Sequence, residues 1–318
     1  MSTNVELHFL PLHGKITMNT YARRSVAMKK IAVVTDSHSS ISPAEANVLG
    51  VYVLPMPFTI DGLDYFEGVN LTRQQFFGYQ RAGANIGTSQ PAPADVMELW
   101  DKLLKEYESI LYMPISSGLS HSCQTAFAYA EEEPYAGRVF VVDNGRVGSP
   151  LHRSVLDALE LIEKGLSAAE CKAALEAAKN DMVIYIAVET LEHLKRGGRI
   201  SSTAAAVGTM LNIKPILRLA TGKLESYKKA RGMHKACEAM LESIRSDLAI
   251  RFQEAQSRGD VFLLAAGSAD DLTTAKWLKQ IEASFPGMPI LYDDLSMGVS
   301  CHTGEGALGI GLSVRPRV

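Results

Sequence analysis

Two hydroxyl-rich turns, Thr88-Ser89-Gln90-Pro91 and Ser116-Ser117-Gly118-Leu119-Ser120, gather side chains that donate hydrogen bonds without carrying charge. Each stands where a helix is expected to begin. The second directly follows the apolar run Ile110-Leu111-Tyr112-Met113-Pro114-Ile115, which has the character of a buried strand. A loop between a strand's carboxyl end and a helix's amino end is where open α/β sheets bind ligands. Free backbone N–H groups there favour an anionic oxygen. A carboxylate or phosphate head group is the chemistry these turns fit.

Other residues compete for attention. Gly118-x-Ser120 after a strand approaches a nucleophile elbow, although Ser122 replaces the final glycine of that motif. Asp293 or Asp294 and then His302 follow in the order Ser…Asp…His, so a serine esterase or thioesterase is the rival chemistry. Helix capping alone would also account for the serines. In Leu194-Lys195-Arg196-Gly197-Gly198-Arg199-Ile200-Ser201-Ser202, the glycines allow close backbone approach, and Ser201 or Ser202 would cap a following helix. Arg199 would then lie beside that helix's positive end, where an anion is welcome; a solvated basic helix end is the plainer account. Lys214 and Lys228-Lys229-Ala230-Arg231 continue the basic character. Ser300-Cys301-His302-Thr303-Gly304-Glu305-Gly306 is expected to be a glycine-rich turn before the last strand.

Several classes are excluded as expectations. The chain has neither G-x-x-x-x-G-K-[ST] nor a G-x-G-x-x-G after a strand, and neither H-x-x-x-H nor H-E-x-x-H, so no nucleotide, cofactor or metal is expected. The four cysteines, Cys123, Cys171, Cys237 and Cys301, form no C-x-x-C pair, which suits reduced thiols and a cytoplasmic location. Cys171 and Cys237 fall on apolar helix faces and are expected in the core. A net charge of −3 leaves no footprint for nucleic acid, and no apolar run approaches a membrane span. At 47% hydrophobic and 21% charged residues, the 318-residue chain has an ordinary globular composition with room for two domains.

The elements that must position these residues divide into two groups. Residues 1–29 are expected to be an N-terminal extension with no convincing signal sequence. Residues 30–180 alternate strands (30–35, 51–58, 109–115, 138–143) with helices, the pattern of a parallel sheet between helical layers. One helix carries Val96, Leu99, Trp100 and Leu103, another Val155 to Ile162, and a third begins at the capping box Ser167–Glu170. A hairpin or loop is expected at 59–69 around Asp61-Gly62. Residues 181–318 offer strands at 183–188, 214–219, 223–229, 261–266, 289–293 and 307–314, with an antiparallel turn at Gly222 and a long helix at 232–256. A mixed sheet results, and the fold class is α/β in two domains.

Taken together, the segments Thr35-Asp36-Ser37, Thr88-Ser89-Gln90-Pro91, Ser116 to Ser120, Val142-Asp143, Leu194 to Ser201, Lys214-Pro215-Ile216, Gly222-Lys223, Arg231-Gly232 and His302-Thr303-Gly304 resemble the DegV family of fatty-acid-binding proteins. They keep family order and span almost the whole chain after Lys30. The resemblance implies a two-domain α/β protein that holds one long-chain fatty acid between its halves. It further implies that Thr88 and Ser120 hold the carboxylate and that His302 completes the head-group site. Ser89, Ser117, Arg199 and Arg231 are implied as further head-group or partner contacts. The implied partner is a separate ATP-dependent fatty acid kinase subunit that makes acyl phosphate for phospholipid synthesis, with no catalysis by this chain alone; a regulatory lipid sensor is a further alternative. The chain departs from the family pattern at His38-Ser39-Ser40, at His121-Ser122, at Asn144, Gly148 and Pro150, and at Glu305.

Overall fold

A computed structural model describes residues 29–200, 212–220 and 222–318. All but the last residue of the expected N-terminal extension, and the expected caps Ser201 and Ser202, lie outside the described residues. The chain opens with β1 (Lys29–Asp36), a single 3-10 turn at Ser37–Ser39, α1 (Pro43–Leu49) and β2 (Tyr52–Leu54). A hairpin follows, β3 (Pro57–Ile60) and β4 (Leu63–Phe66), then α2 (Arg73–Arg81), β5 (Ile86–Thr88), α3 (Pro93–Leu103), β6 (Tyr107–Met113), α4 (Ser122–Ala130) and β7 (Val139–Val141). Helices α5 (Ser149–Glu163) and α6 (Ala168–Ala177) lead to β8 (Met182–Ala187), α7 (Glu192–Arg196), β9 (Ile213–Leu219) and β10 (Leu224–Arg231). The rest comprises α8 (Met233–Ile250), α9 (Gln253–Ser257), β11 (Val261–Gly267), α10 (Asp271–Ser284), β12 (Ile290–Asp294), α11 (Met297–Thr303) and β13 (Leu308–Val314).

Three sheets result. The first is parallel, in the order β2-β1-β6-β7. Its central strands are apolar at successive positions because both faces are covered. Ala32, Val34, Ile110 and Tyr112 pack under Trp100 of α3 and Cys123 of α4, while Val33, Leu111 and Met113 pack under Leu151 and Val155 of α5 and Cys171 of α6. The third sheet, β10-β9-β8-β13-β11-β12, is antiparallel except for the parallel pair β11–β12. One of its faces buries Tyr185, Ala265 and Ile310 against Cys237 and Ile244 of α8 and Trp277 of α10. The other face is turned towards the first sheet. Helix α5 lies between the two, touching β1 on one side and β11, β12 and β13 on the other.

Four expectations are corrected. The strand expected over 51–58 is two strands in different sheets. Pro55 and Pro57 cannot donate to a ladder, so β2 ends before them and β3 joins a second, three-stranded antiparallel sheet, β4-β3-β5. The expected hairpin does turn at Asp61-Gly62, with φ of 50° and 84°. Thr88 ends a short strand of that sheet, which three residues could not announce by periodicity. The long helix at 232–256 breaks into α8 and α9 around Arg251 and Phe252. Finally, His302 lies on a helix. Ser296 caps α11 by accepting from Val299 N–H at 3.3 Å, and Gly304, at φ 77°, ends it. Gly298 and Val299 are weak helix formers, which hid this helix.

Candidate functional site

The carboxyl ends of the parallel strands are tied together first. The Thr35 hydroxyl donates to the carbonyl of Met113 at 2.8 Å, and the buried Asp36 carboxylate accepts from Ile115 N–H at 2.8 Å and His38 N–H at 2.9 Å. From this platform the serine loop crosses to the third sheet. Ser116 Oγ donates to the carbonyl of Gly222, in the turn between β9 and β10, at 2.7 Å. A Cβ on Gly118 would stand 2.3 Å from that same carbonyl oxygen, so only glycine permits the approach. Arg199 holds the loop from the opposite side, donating from Nε to the carbonyl of Leu119 at 3.1 Å. The two halves are therefore joined at the loop that carries Ser120.

Between them lies a cavity of about 350 Å³. Its walls are apolar: Ile115, Leu119 and Val147 from the first half, and Ile184, Ile186, Leu219, Leu224 and Ala266 from the inward face of the third sheet. Polar groups converge at one end. Thr88, Ser89, Ser120, Arg199 and His302 all line the cavity, although Thr88 and His302 are separated by 214 residues. The Thr88 hydroxyl oxygen stands 3.0 Å from His302 Nε2. Ser120 Oγ stands 3.0 Å from Ser122 Oγ and accepts from Ser122 N–H at 3.2 Å.

Two other expected contacts point elsewhere. Ser117 Oγ donates to Asp143 Oδ2 at 2.6 Å, and Lys179 Nζ reaches the same oxygen at 2.7 Å. Burial works to raise the Asp143 pKa, but these partners outweigh it and hold the carboxyl below its usual range. Ser117 braces the loop and does not line the cavity. Arg231 is exposed at the end of β10, paired with Ile213, and is likewise away from the cavity wall.

The electrostatics of His302 follow from its surroundings. Burial, then the Arg199 guanidinium and the imidazoles of His38 and His193, push its pKa down to about 4. The ring is neutral at pH 7. Its Nδ1 is buried against Gly197, where a Cβ would stand 2.1 Å away, and finds no partner among the described residues. Placing the proton on Nε2 lets the imidazole donate to Thr88 Oγ1, which leaves the threonine proton free to point onward. Such a relay delivers donors, not a base. The rival triad is not assembled either, because Asp293 Oδ1 is bound to His152 Nδ1 at 2.9 Å and Asp294 accepts from the Tyr292 hydroxyl at 2.8 Å. Asp293 and His152 are a pairing that sequence reasoning missed, since nothing local links residues 141 apart. Among the described residues no cluster of His, Cys, Asp and Glu is arranged for a metal, and no helix is long and apolar enough to cross a membrane.

A cavity of this kind, walled by two sheets and headed by hydroxyls, can be compared with known proteins. The family model described as "Uncharacterised protein, DegV family" matches residues 30–315. The chain belongs to the DegV family. A DegV domain-containing protein of Deinococcus radiodurans is 32% identical over 285 residues, which cover 89% of this chain and 98% of the relative. Among solved structures, a fatty-acid-binding DegV family protein of Thermus thermophilus is 35% identical, with a TM-score of 0.78 over 90% of this chain and 99% of that one. DegV of Bacillus subtilis, described as a fatty acid binding protein, is 27% identical, with a TM-score of 0.76 over 90% of this chain and 99% of that one. The DegV architecture is thus shared over nearly all of the described chain.

Proposed function

We propose that this chain binds one long-chain fatty acid in the cavity between its halves, with the carboxylate held by Thr88, Ser120 and His302. The observation that carries this reading is the cavity itself: apolar along its walls, hydroxyl-lined at one end, with a neutral imidazole behind the threonine. An acyl chain gains roughly 0.8 kcal/mol per buried CH₂, so the tail supplies the affinity and the head group requires only orientation. A volume of about 350 Å³ lies within the range of small-molecule sites, roughly 300–1,000 Å³. The fatty-acid-binding descriptions of the Thermus and Bacillus relatives support the same ligand class. We further propose that the loaded protein presents the carboxylate, in the cytoplasm, to a separate ATP-dependent kinase subunit, with Arg199 and the exposed Arg231 available to the phosphoryl group or the partner.

Mass spectrometry of lipid released from protein purified out of cells tests the first step. One long-chain acid per chain is expected; protein that is lipid-free and also ignores added fatty acid sinks the reading. For the second step, the chain alone should consume no ATP, and a cognate kinase subunit should yield acyl phosphate, trapped as a hydroxamate. An isolated chain that phosphorylates fatty acid would refute this division of labour.

A further inference from the structure

Thr88, Arg199 and His302 line a second cavity as well as the first, so the head-group residues form a partition with space on both sides. The outer cavity, of about 280 Å³, lies between the turn before β5, the end of α7 and α11. That is far more than the ~10–15 Å³ that admits a single water. Two guanidinium groups, Arg196 and Arg199, and two imidazoles, His193 and His302, line it, and among the described residues no Asp or Glu does. A Cβ on Gly197 would stand 2.1 Å from His302 Nδ1, so the backbone between the two arginines lies directly against the ring. Arg199 is fixed by donating to the carbonyls of Leu119 and Gly197, at 3.1 and 2.5 Å. Arg196 reaches Glu192 Oε1 at 3.0 Å, an exposed i,i+4 pair of little strength that leaves it able to turn to a ligand. Both imidazoles register the excess of positive charge. Burial and then Arg196 hold His193 below its ordinary pKa, as burial and then Arg199 do for His302. An anion in this pocket offsets that charge.

Resting on the fatty-acid reading, we propose that the outer pocket is a phosphate site, and that it holds the phosphoryl group of an acyl phosphate whose acyl chain occupies the inner cavity. Planar guanidinium forks match phosphate oxygens two at a time, which an ammonium does not. Thr88 and His302, shared by both cavities, stand at the junction, where the carbonyl of the mixed anhydride lies. The phosphoryl group is then outside the partition and the tail inside it. Arg231 lines neither cavity and is left to the partner. The chain thus keeps the product of phosphorylation as well as its substrate.

Calorimetric titration tests this with palmitic acid, with inorganic phosphate, and with the β-ketophosphonate analogue of palmitoyl phosphate, in which CH₂ replaces the bridging oxygen. The phosphonate should bind about ten-fold more tightly than palmitic acid, since it adds charge-assisted hydrogen bonds. Arg196→Glu should abolish that preference while changing palmitic acid binding little, and Arg196→Lys should keep part of it. In NMR titrations the His193 ring should charge at higher pH with the phosphonate bound than with palmitic acid bound. Equal or weaker binding of the phosphonate, a preference that survives Arg196→Glu, or an unmoved His193 overturns the proposal while leaving fatty acid binding intact. Inorganic phosphate should bind far more weakly than the phosphonate; equal affinity assigns the pocket to the free ion and overturns the acyl phosphate assignment. Failure of both lipids to bind overturns the fatty-acid reading and this one with it.

Discussion

The threonine–imidazole pair shows how a neutral site can orient an anion. In the proposed site, an Nε2 proton on His302 would be donated to Thr88, 3.0 Å away, leaving the threonine proton for the ligand, while Arg199, which also lines the cavity, donates to the Leu119 carbonyl. If Thr88 and Ser120 hold the carboxylate as proposed, Thr88→Val and Ser120→Ala each delete a hydrogen bond to a charged group, worth roughly 1.5–3 kcal/mol, and fatty acid binding should weaken by about ten-fold or more in each. Displacement of a fluorescent fatty acid would measure it, and unchanged affinity in both variants would move the carboxylate elsewhere. A second expectation concerns pH. The folded-state pKa of His302 is about 4, below the ordinary 6.5, so falling pH protonates the unfolded chain first. The group's contribution is intact above pH 6.5 and is lost as pH falls towards 4, on the order of 3 kcal/mol in all. Urea unfolding across that window should show a shallower acid loss in His302→Phe than in the unaltered chain.

Among the elements, the serine loop and the β9–β10 turn form the decisive contact. Gly222 has a φ of 79°, a conformation that L side chains rarely adopt, and its carbonyl receives the Ser116 hydroxyl while Gly118 passes directly beneath. Gly118→Ala places a methyl group 2.3 Å from a backbone oxygen, which no side-chain rotation relieves. The loop must withdraw, at a cost of about 1–3 kcal/mol. We expect a lower melting temperature and weaker fatty acid binding together, because the same withdrawal carries Ser120 away from Thr88. Gly118→Ala with unaltered melting and binding would show that the contact is dispensable.

For the molecule as a whole, the halves are linked by a buried ionic bridge. His152 of α5 stands 2.9 Å from Asp293 of β12 and 3.3 Å from Glu45 of α1. Burial opposes the imidazolium, but Asp293 and Glu45 outweigh it and hold the His152 pKa up at about 9. A folded-state pKa above the ordinary 6.5 means stability fully present below pH 6.5 and lost as pH rises through 9, again on the order of 3 kcal/mol. Denaturation between pH 6 and pH 10 should show that loss, and His152→Gln should flatten it. An unchanged alkaline limb in His152→Gln would mean that the bridge does not hold the halves together.

Local chemistry made much of this legible. The apolar run at Ile110–Met113, the capping box at Ser167–Glu170 and the Asp61-Gly62 turn each encode their element within a few residues; of the residues singled out from the ordered motifs, Thr88, Ser89, Ser120, Arg199 and His302 line the cavity, whereas Ser117 and Arg231 do not. What the chain order could not show was where side chains distant in sequence meet. Thr88 reaches His302 only because a three-residue strand joins a separate small sheet and α11 packs beside it. Asp293 belongs to His152 and not to His302 because β12 runs along α5. Spacing along the chain determines local turns and faces, whereas protonation, pairing and cavity shape depend on which groups burial brings together.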